Sequence, residues 1–124
     1  MITIIINEQH TLLSDQARVL NEKFGQGTWS TLTVPSAGWT LEEIRTLTDR
    51  FNTGTVVFVS PIPALLCSLA DKAGYQAGYD RGSDTIPSEP PLVVLVFHND
   101  NRVAKELPGG KIIHTVAPDG WILV

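Results

Sequence analysis

The sequence predicts an α/β fold built on a mainly parallel sheet, and three apolar runs carry this prediction. Residues 2–6, 55–59 and 92–97 read ITIII, TVVFV and LVVLVF, with no polar residue alternating among the apolar ones. Runs of this kind are typical of parallel strands that are covered on both faces. Helical patterns separate the runs, and this alternation of strand and helix indicates helices on both sides of the sheet.

The first helical pattern follows the strand at residues 2–6. Its apolar positions recur at spacings of four, three and four and comprise Leu13, Ala17, Leu20 and Phe24. Thr11 or Ser14 is predicted as the N-cap, and Gly25 is predicted to end the helix. Residues 29–34 contain one serine and two threonines among apolar residues, which favours a strand nearer the edge of the sheet.

The second helix has the strongest local signature. Thr40 and Glu43 have the spacing of a capping box, and Trp39 and Ile44 occupy the positions of a hydrophobic staple. Trp39 is therefore predicted first as a packing residue, with ligand stacking as the alternative.

The third helix follows a Ser-Pro-x-Pro turn, and the turn allows two starting points. Either Ser60 caps a helix that begins at Pro61, or Ile62 precedes one that begins at Pro63. Gly74 is predicted to end this helix. Residues 75–79 are predicted as a possible short strand, which would leave a loop at residues 80–91.

The C-terminal part is predicted to contain an antiparallel hairpin. Residues 111–116 are predicted as a strand, and residues 118–120, Pro-Asp-Gly, as a turn from which residues 121–124 return antiparallel. Residues 102–106 fit either a ligand-binding segment or a solvated turn of helix. The complete prediction is a single Rossmann-like, three-layer domain spanning residues 1–124, with strand order 2-1-3-4 and the hairpin at an edge.

Composition narrows the classes of partner. The net charge of −4 argues against wholesale binding of duplex nucleic acid or of an anionic membrane, but a small anionic ligand needs only a local cluster of donors. The longest apolar runs are too short to span a bilayer, and we expect a cytoplasmic protein. The single cysteine, Cys67, excludes an internal disulfide.

Several sites with known signatures are not predicted. The first strand is not followed by GxGxxG, and the chain contains no P-loop, no HExxH pair and no GxSxG elbow. No cofactor and no metal site are therefore expected. His98 and Asp100 together would make only a weak metal pair.

Polar residues follow the three apolar strands at the point where each one ends. Because ligands of open parallel sheets bind beyond the carboxyl ends of the strands, these residues are predicted to share one rim. The predicted ligand-binding residues are Asn7, Ser60, Ile62, Asn99, Asp100, Arg102 and Lys105. His10 and His98 are the candidate acid and base, and the two cations could hold a phosphate or carboxylate.

The inferred topology, with Asn7, Ser60 and the segment 98–102, is similar in general outline to small Rossmann-like nucleotide-sensing domains, including the CRISPR-associated (CARF) type. This resemblance is at the level of the fold. It implies a homodimer that places a strand-end loop and a helix N-terminus against a cyclic oligoadenylate.

Three functions follow as competing hypotheses. The first is a binding or sensing domain for a phosphorylated or nucleotide-like ligand. The second is a metal-independent phosphodiesterase, similar to ring nucleases, that uses the same rim, and the sequence leaves open whether a reaction is catalysed. The third is a structural or interaction subunit without a ligand. The edge of its C-terminal hairpin, with Trp121, would pair with a copy of itself to form a dimer or with another protein.

Overall fold

The computed structural model describes residues 1–81 and 91–124, and the side chains within these ranges except those of residues 76–81. Strands and helices alternate through the first four strands, as predicted. The elements are β1 (Ile2–Asn7), α1 (Ser14–Phe24), β2 (Trp29–Val34), α2 (Leu41–Arg50), β3 (Gly54–Phe58), α3 (Pro63–Arg81), β4 (Leu92–His98), β5 (Arg102–Glu106), β6 (Ile112–Val116) and β7 (Ile122–Leu123).

The main sheet has five strands in the order β2-β1-β3-β4-β7. The first four run parallel to one another, and β7 pairs antiparallel with β4. The predicted α/β class and the order 2-1-3-4 are confirmed, and so is the position of β2 at an edge.

Two apolar clusters lie on opposite faces of this sheet, because successive side chains of a strand point to opposite sides. On one face Ile5, Val56 and Phe58 pack with residues of α2 and α3. On the other face Ile4, Val57 and Phe97 pack with Leu20 of α1. The fold therefore has three layers, with one helix on one side and two on the other.

The N-terminal caps of the first two helices differ in how well the sequence predicts them. In α2 the capping box is present, since the Thr40 hydroxyl accepts the Glu43 N–H and the Glu43 carboxylate accepts the Thr40 N–H. In α1 neither Thr11 nor Ser14 is the cap. The N-cap is Leu13, whose N–H is accepted by the Gln16 side chain at 3.1 Å.

Helix α3 begins at Pro63, which is the second of the two predicted starting points. It continues through Gly74 to Arg81, so the predicted end at Gly74 and the predicted strand at residues 75–79 are both wrong. A glycine inside a helix costs only about 1 kcal/mol, which the buried stripe of Leu65 and Leu69 on the same helix offsets. Most of the predicted loop at residues 80–91 lies outside the described residues.

The C-terminal strands pair differently from the prediction. β6 pairs with β5, whose residues the sequence predicts as a ligand-binding segment or a turn of helix, and β7 pairs with β4. The antiparallel element at the edge of the main sheet is therefore β7 alone. β5, β6 and the turn between them, residues 102–116, form a separate two-stranded sheet that we call the arm.

The arm is joined to the main sheet by a neck, which comprises residues 99–101 and 117–120. The Asn99 side chain organises this neck and is 3% exposed. Its amide group donates to the carbonyls of Ala117 at 3.0 Å and Asp119 at 2.7 Å, and its oxygen accepts the Asn101 N–H at 2.9 Å. β4 and β5 lie on one side of the neck and β6 and β7 on the other.

Candidate functional site

The loop that follows β1 is a compact turn. The Asn7 side-chain oxygen accepts the Gln9 N–H at 2.9 Å, and the Asn7 carbonyl accepts the His10 N–H at 2.9 Å. Asparagine favours such turns because its short side chain reaches the backbone two residues further on. The turn places His10 back against the end of the sheet.

Ser60 lies two residues beyond the end of β3 and is 2% exposed. Its N–H and that of Val59 both donate to the Ile5 carbonyl, so the contact between β1 and β3 extends past the last paired residues. The Ser60 hydroxyl oxygen accepts the Asn7 N–H at 2.8 Å. This hydrogen bond ties the two strand ends together.

His10 completes this group, because its Nδ1 lies 2.7 Å from the Ser60 hydroxyl oxygen. Since that oxygen accepts the Asn7 N–H, the hydroxyl proton can be donated to Nδ1. The imidazole then carries its own proton on Nε2. His10 is exposed as a residue, and within the described chain Nε2 has no hydrogen-bond partner while Nδ1 is engaged. We call Asn7, His10 and Ser60 the rim cluster.

The N-terminus of α3 lies three residues after Ser60. Pro63 has no N–H, and the N–H groups of Ala64 and Leu65 find no acceptor within the described part of the chain. The Ile62 carbonyl accepts the Leu66 N–H at 2.8 Å. The Ile62 side chain packs on the apolar cluster beneath α2 and α3. Free donors and the positive end of the helix dipole together favour an anion at this terminus.

The residues predicted from the end of β4 have other partners. Asn99 holds the neck, and His98 Nε2 pairs with the Asp100 carboxylate. The Arg102 guanidinium donates through Nη1 to the carbonyls of Asn99 at 2.6 Å and Asn101 at 3.1 Å. Lys105 is exposed on the arm.

The structure therefore brings together Asn7, His10 and Ser60 from two of the three predicted segments, whereas the Ile62 side chain packs on the apolar cluster. The segment after β4 forms its own hydrogen-bond network, with no bond from it to the rim cluster. The contact between His10 and Ser60 spans fifty residues of sequence. The convergence of parallel strand ends was the signal that predicted their proximity, but nothing local indicated the direct bond.

Glu8 also has a structural role, because it holds the loop after β1 in place. Its carboxylate accepts the Ser36 N–H at 2.7 Å, and this hydrogen bonding by Ser36 lowers the pKa of Glu8 below its ordinary value. The Glu8 N–H donates to the Val34 carbonyl, so the loop after β1 is held to the end of β2 as well. Three strand ends are thus fixed relative to one another around the rim cluster.

Two further observations concern other kinds of site. Among the described residues no group of three or more histidine, cysteine, aspartate or glutamate side chains could hold a metal ion. No helix in the described ranges has both the length and the apolar character that crossing a membrane requires.

No protein-family model, no curated protein sequence and no solved structure is significantly similar to this chain.

Proposed function

We propose that this protein is a small cytoplasmic binding domain for a phosphorylated or nucleotide-like ligand, which it binds at the carboxyl ends of β1 and β3. The observation that carries the proposal is the rim cluster. An exposed imidazole is held by a buried serine, close in sequence to the N-terminus of a long helix whose first N–H groups have no acceptor in the described chain.

The chemistry of this arrangement suits a phosphate oxygen. With Nδ1 engaged by Ser60, the Nε2–H of His10 is a donor to an incoming anion. The N–H groups of Ala64 and Leu65 are two further donors, and they require no side-chain rearrangement. Ser60 serves as a positioning residue, because its burial keeps its hydroxyl from direct contact with a ligand.

The proposed site is narrower than the set of residues predicted from the sequence. It rests on Asn7, His10, Ser60 and the start of α3, and it does not depend on Asn99, whose amide is fully used in the neck. The choice of a nucleotide over other anions comes from the fold-level resemblance to nucleotide-sensing domains.

Calorimetric titration tests the proposal. The wild-type protein is titrated with adenosine monophosphate, with cyclic oligoadenylates and with inorganic phosphate. We expect at least one of these to bind, and we expect His10→Ala to weaken that binding at least about tenfold, the value of one charge-assisted hydrogen bond. His114→Ala is the matched control, because His114 is exposed on the arm. Absence of binding by all three probes would contradict the proposal.

The bond between His10 and Ser60 also supports a second candidate, a metal-independent phosphodiesterase. With Nδ1 held, Nε2 of His10 is the atom that would exchange a proton with the substrate. Turnover of a cyclic oligoadenylate that persists in EDTA and disappears in His10→Ala would favour this candidate. Binding without turnover would favour the sensing domain.

A further inference from the structure

The arm is exposed on both of its faces. All five residues of β5 are exposed, as are all of β6 except the half-buried Ile113. Apolar side chains are among them, with Ile112 63% and Val103 and Val116 each 46% exposed. An isolated two-stranded sheet is only marginally stable in water, so an arm of this composition is expected to gain stability from a further strand.

The hydrogen-bond pattern shows which residues offer groups to such a strand. At the two ends of the arm the Leu107 N–H donates to the Lys111 carbonyl at 2.7 Å, and the Ala117 N–H donates to the Asn101 carbonyl at 3.1 Å. In an antiparallel ladder, residues alternate between facing the partner strand and facing away from it. The residues of β5 whose backbone groups face β6 are thus the odd-numbered ones. The outward-facing N–H and C=O groups of β5 belong to Arg102, Ala104 and Glu106.

We propose that the outer edge of β5, which pairs with no other strand among the described residues, pairs with the β5 edge of a second copy of this chain, antiparallel about a two-fold axis at Ala104. In this register Arg102 lies opposite Glu106 of the second copy, and Glu106 lies opposite its Arg102. Both pairs use outward-facing backbone groups. The sequence RVAKE is therefore complementary to itself in charge as well as in hydrogen bonding.

The charges that would form these pairs are available. Arg102 uses only Nη1 for the carbonyls of the neck, so its Nε and Nη2 have no partner in the described residues. Glu106 forms no ion pair there either. Charged residues normally protect an edge strand from pairing, and a shift of the register by two residues would place Lys105 opposite Lys105. The charged residues of β5 thus disfavour the register centred on Lys105 and favour the one centred on Ala104.

The free edge of β6 is the competing surface. Two-fold pairing about His114 would place Ile112 opposite Val116 of the second copy, with the two His114 rings facing each other. That edge carries no residues of opposite charge to fix a register. Charge complementarity therefore favours β5 over β6 as the strand that pairs with the second copy.

Exchange of the two charged residues by mutation tests the proposal. The dissociation constant of the dimer is measured for each variant by light scattering and sedimentation across micromolar concentrations. We expect a wild-type dimer whose dissociation constant rises at least about tenfold in Arg102→Glu and in Glu106→Arg, because each single change opposes like charges twice. The double variant restores the opposite charges and should dimerise as the wild type does. Lys111→Glu and Asp49→Arg are controls with the same changes in net charge at positions outside the paired strand.

Three outcomes of this experiment would overturn the proposal. They are a wild-type monomer at all concentrations, a dimer that neither single variant weakens, and a loss of dimer that the double variant does not restore. Circular dichroism of each variant verifies that the fold is retained, because Arg102→Glu also removes the two hydrogen bonds from Arg102 to the neck.

Cysteine cross-linking locates the axis independently. In a Cys67→Ser background, Ala104→Cys would bring two thiols together across the axis, at about 5.5 Å between Cα atoms in a hydrogen-bonded pair, which is within the range of disulfides. We expect this variant to form a covalent dimer on mild oxidation and His114→Cys to remain uncrosslinked. The reverse result would assign the interface to β6 and overturn the proposal.

Discussion

The Asp15 carboxylate accepts the backbone N–H of Trp121 at 3.0 Å, across 106 residues of sequence. Its other oxygen accepts hydrogen bonds from Arg18. The Trp121 ring meets Phe97 edge to face, with centroids 6.1 Å apart. The first turn of α1 thus holds the start of the last strand in place beside β4.

This contact predicts a pH dependence of stability. The Trp121 N–H and the Arg18 guanidinium lower the pKa of Asp15 below its ordinary value of 3.8. A lowered folded pKa gives stability that is present above the ordinary value and is lost as the pH falls through the folded one. In urea unfolding, Asp15→Asn should therefore be less stable than the wild type at neutral pH, and the difference should shrink in acid. A difference that stays constant down to the acid range would contradict this account.

Ser60→Ala removes the acceptor of the Asn7 N–H. Because that N–H is left unsatisfied beside a buried site, the free energy of unfolding should fall by about 1–3 kcal/mol. Ser68→Ala is the control, since Ser68 lies on α3 and its side chain makes no hydrogen bond to the described residues. Equal stability of both variants in denaturant titrations would show that Ser60 does not link the strand ends.

Asn99→Asp keeps the size of the side chain but replaces two donors with an oxygen. That oxygen would face the carbonyls of Ala117 and Asp119, so we expect a loss of at least about 3 kcal/mol in the free energy of unfolding. Asn101→Asp is the matched control, because this residue is exposed and its side chain makes no hydrogen bond to the described residues. It should change stability by less than about 0.5 kcal/mol. Similar losses in both variants would argue against the role assigned to Asn99.

Alanine substitutions at Gly54 and Gly109 distinguish two ways in which an added Cβ atom lowers stability, namely backbone strain and steric clash. Both glycines have positive φ, +89° at Gly54 and +96° at Gly109. A Cβ atom added to Gly54 would lie 2.5 Å from the Met1 carbonyl oxygen, whereas a Cβ atom added to Gly109 would meet no atom beyond its chain neighbours within 4 Å. Gly109→Ala should cost about 1–2 kcal/mol in stability, the price of the conformation alone. Gly54→Ala should cost more, because the backbone at Met1, just before β1, must move. Thermal unfolding compares them, and an equal cost would contradict the steric contribution.

The sequence predicted the parallel part of the sheet well, for a physical reason. Strands that are covered on both faces must be continuously apolar, and right-handed crossovers leave few possible orders for them. The capping box at Thr40 was equally readable, because it involves residues only three apart. The proximity of Asn7 and Ser60 followed from the same topology.

The C-terminal strands were less predictable because their partners are set by distant contacts. β5 is five residues long and fully exposed, so its composition resembles that of a polar loop. The choice of β4 over β6 as the partner of β7 depends on the neck, which is held by Asn99 to carbonyls 18 and 20 residues away. The network around Asn99 also explains why this segment differs from the predicted binding loop.

We propose that a small anion binds between His10 and the start of α3. The decisive test of this binding site is a titration of the isotope-labelled protein, followed through its amide chemical shifts. The titrants are a cyclic oligoadenylate, adenosine monophosphate and inorganic phosphate. We predict that, with at least one of these, the largest changes occur at the N–H groups of Ala64 and Leu65 and at the loop of residues 7–10, and that they are reduced in His10→Ala. Saturating changes confined to the arm, or no changes with any of the three, would contradict the account.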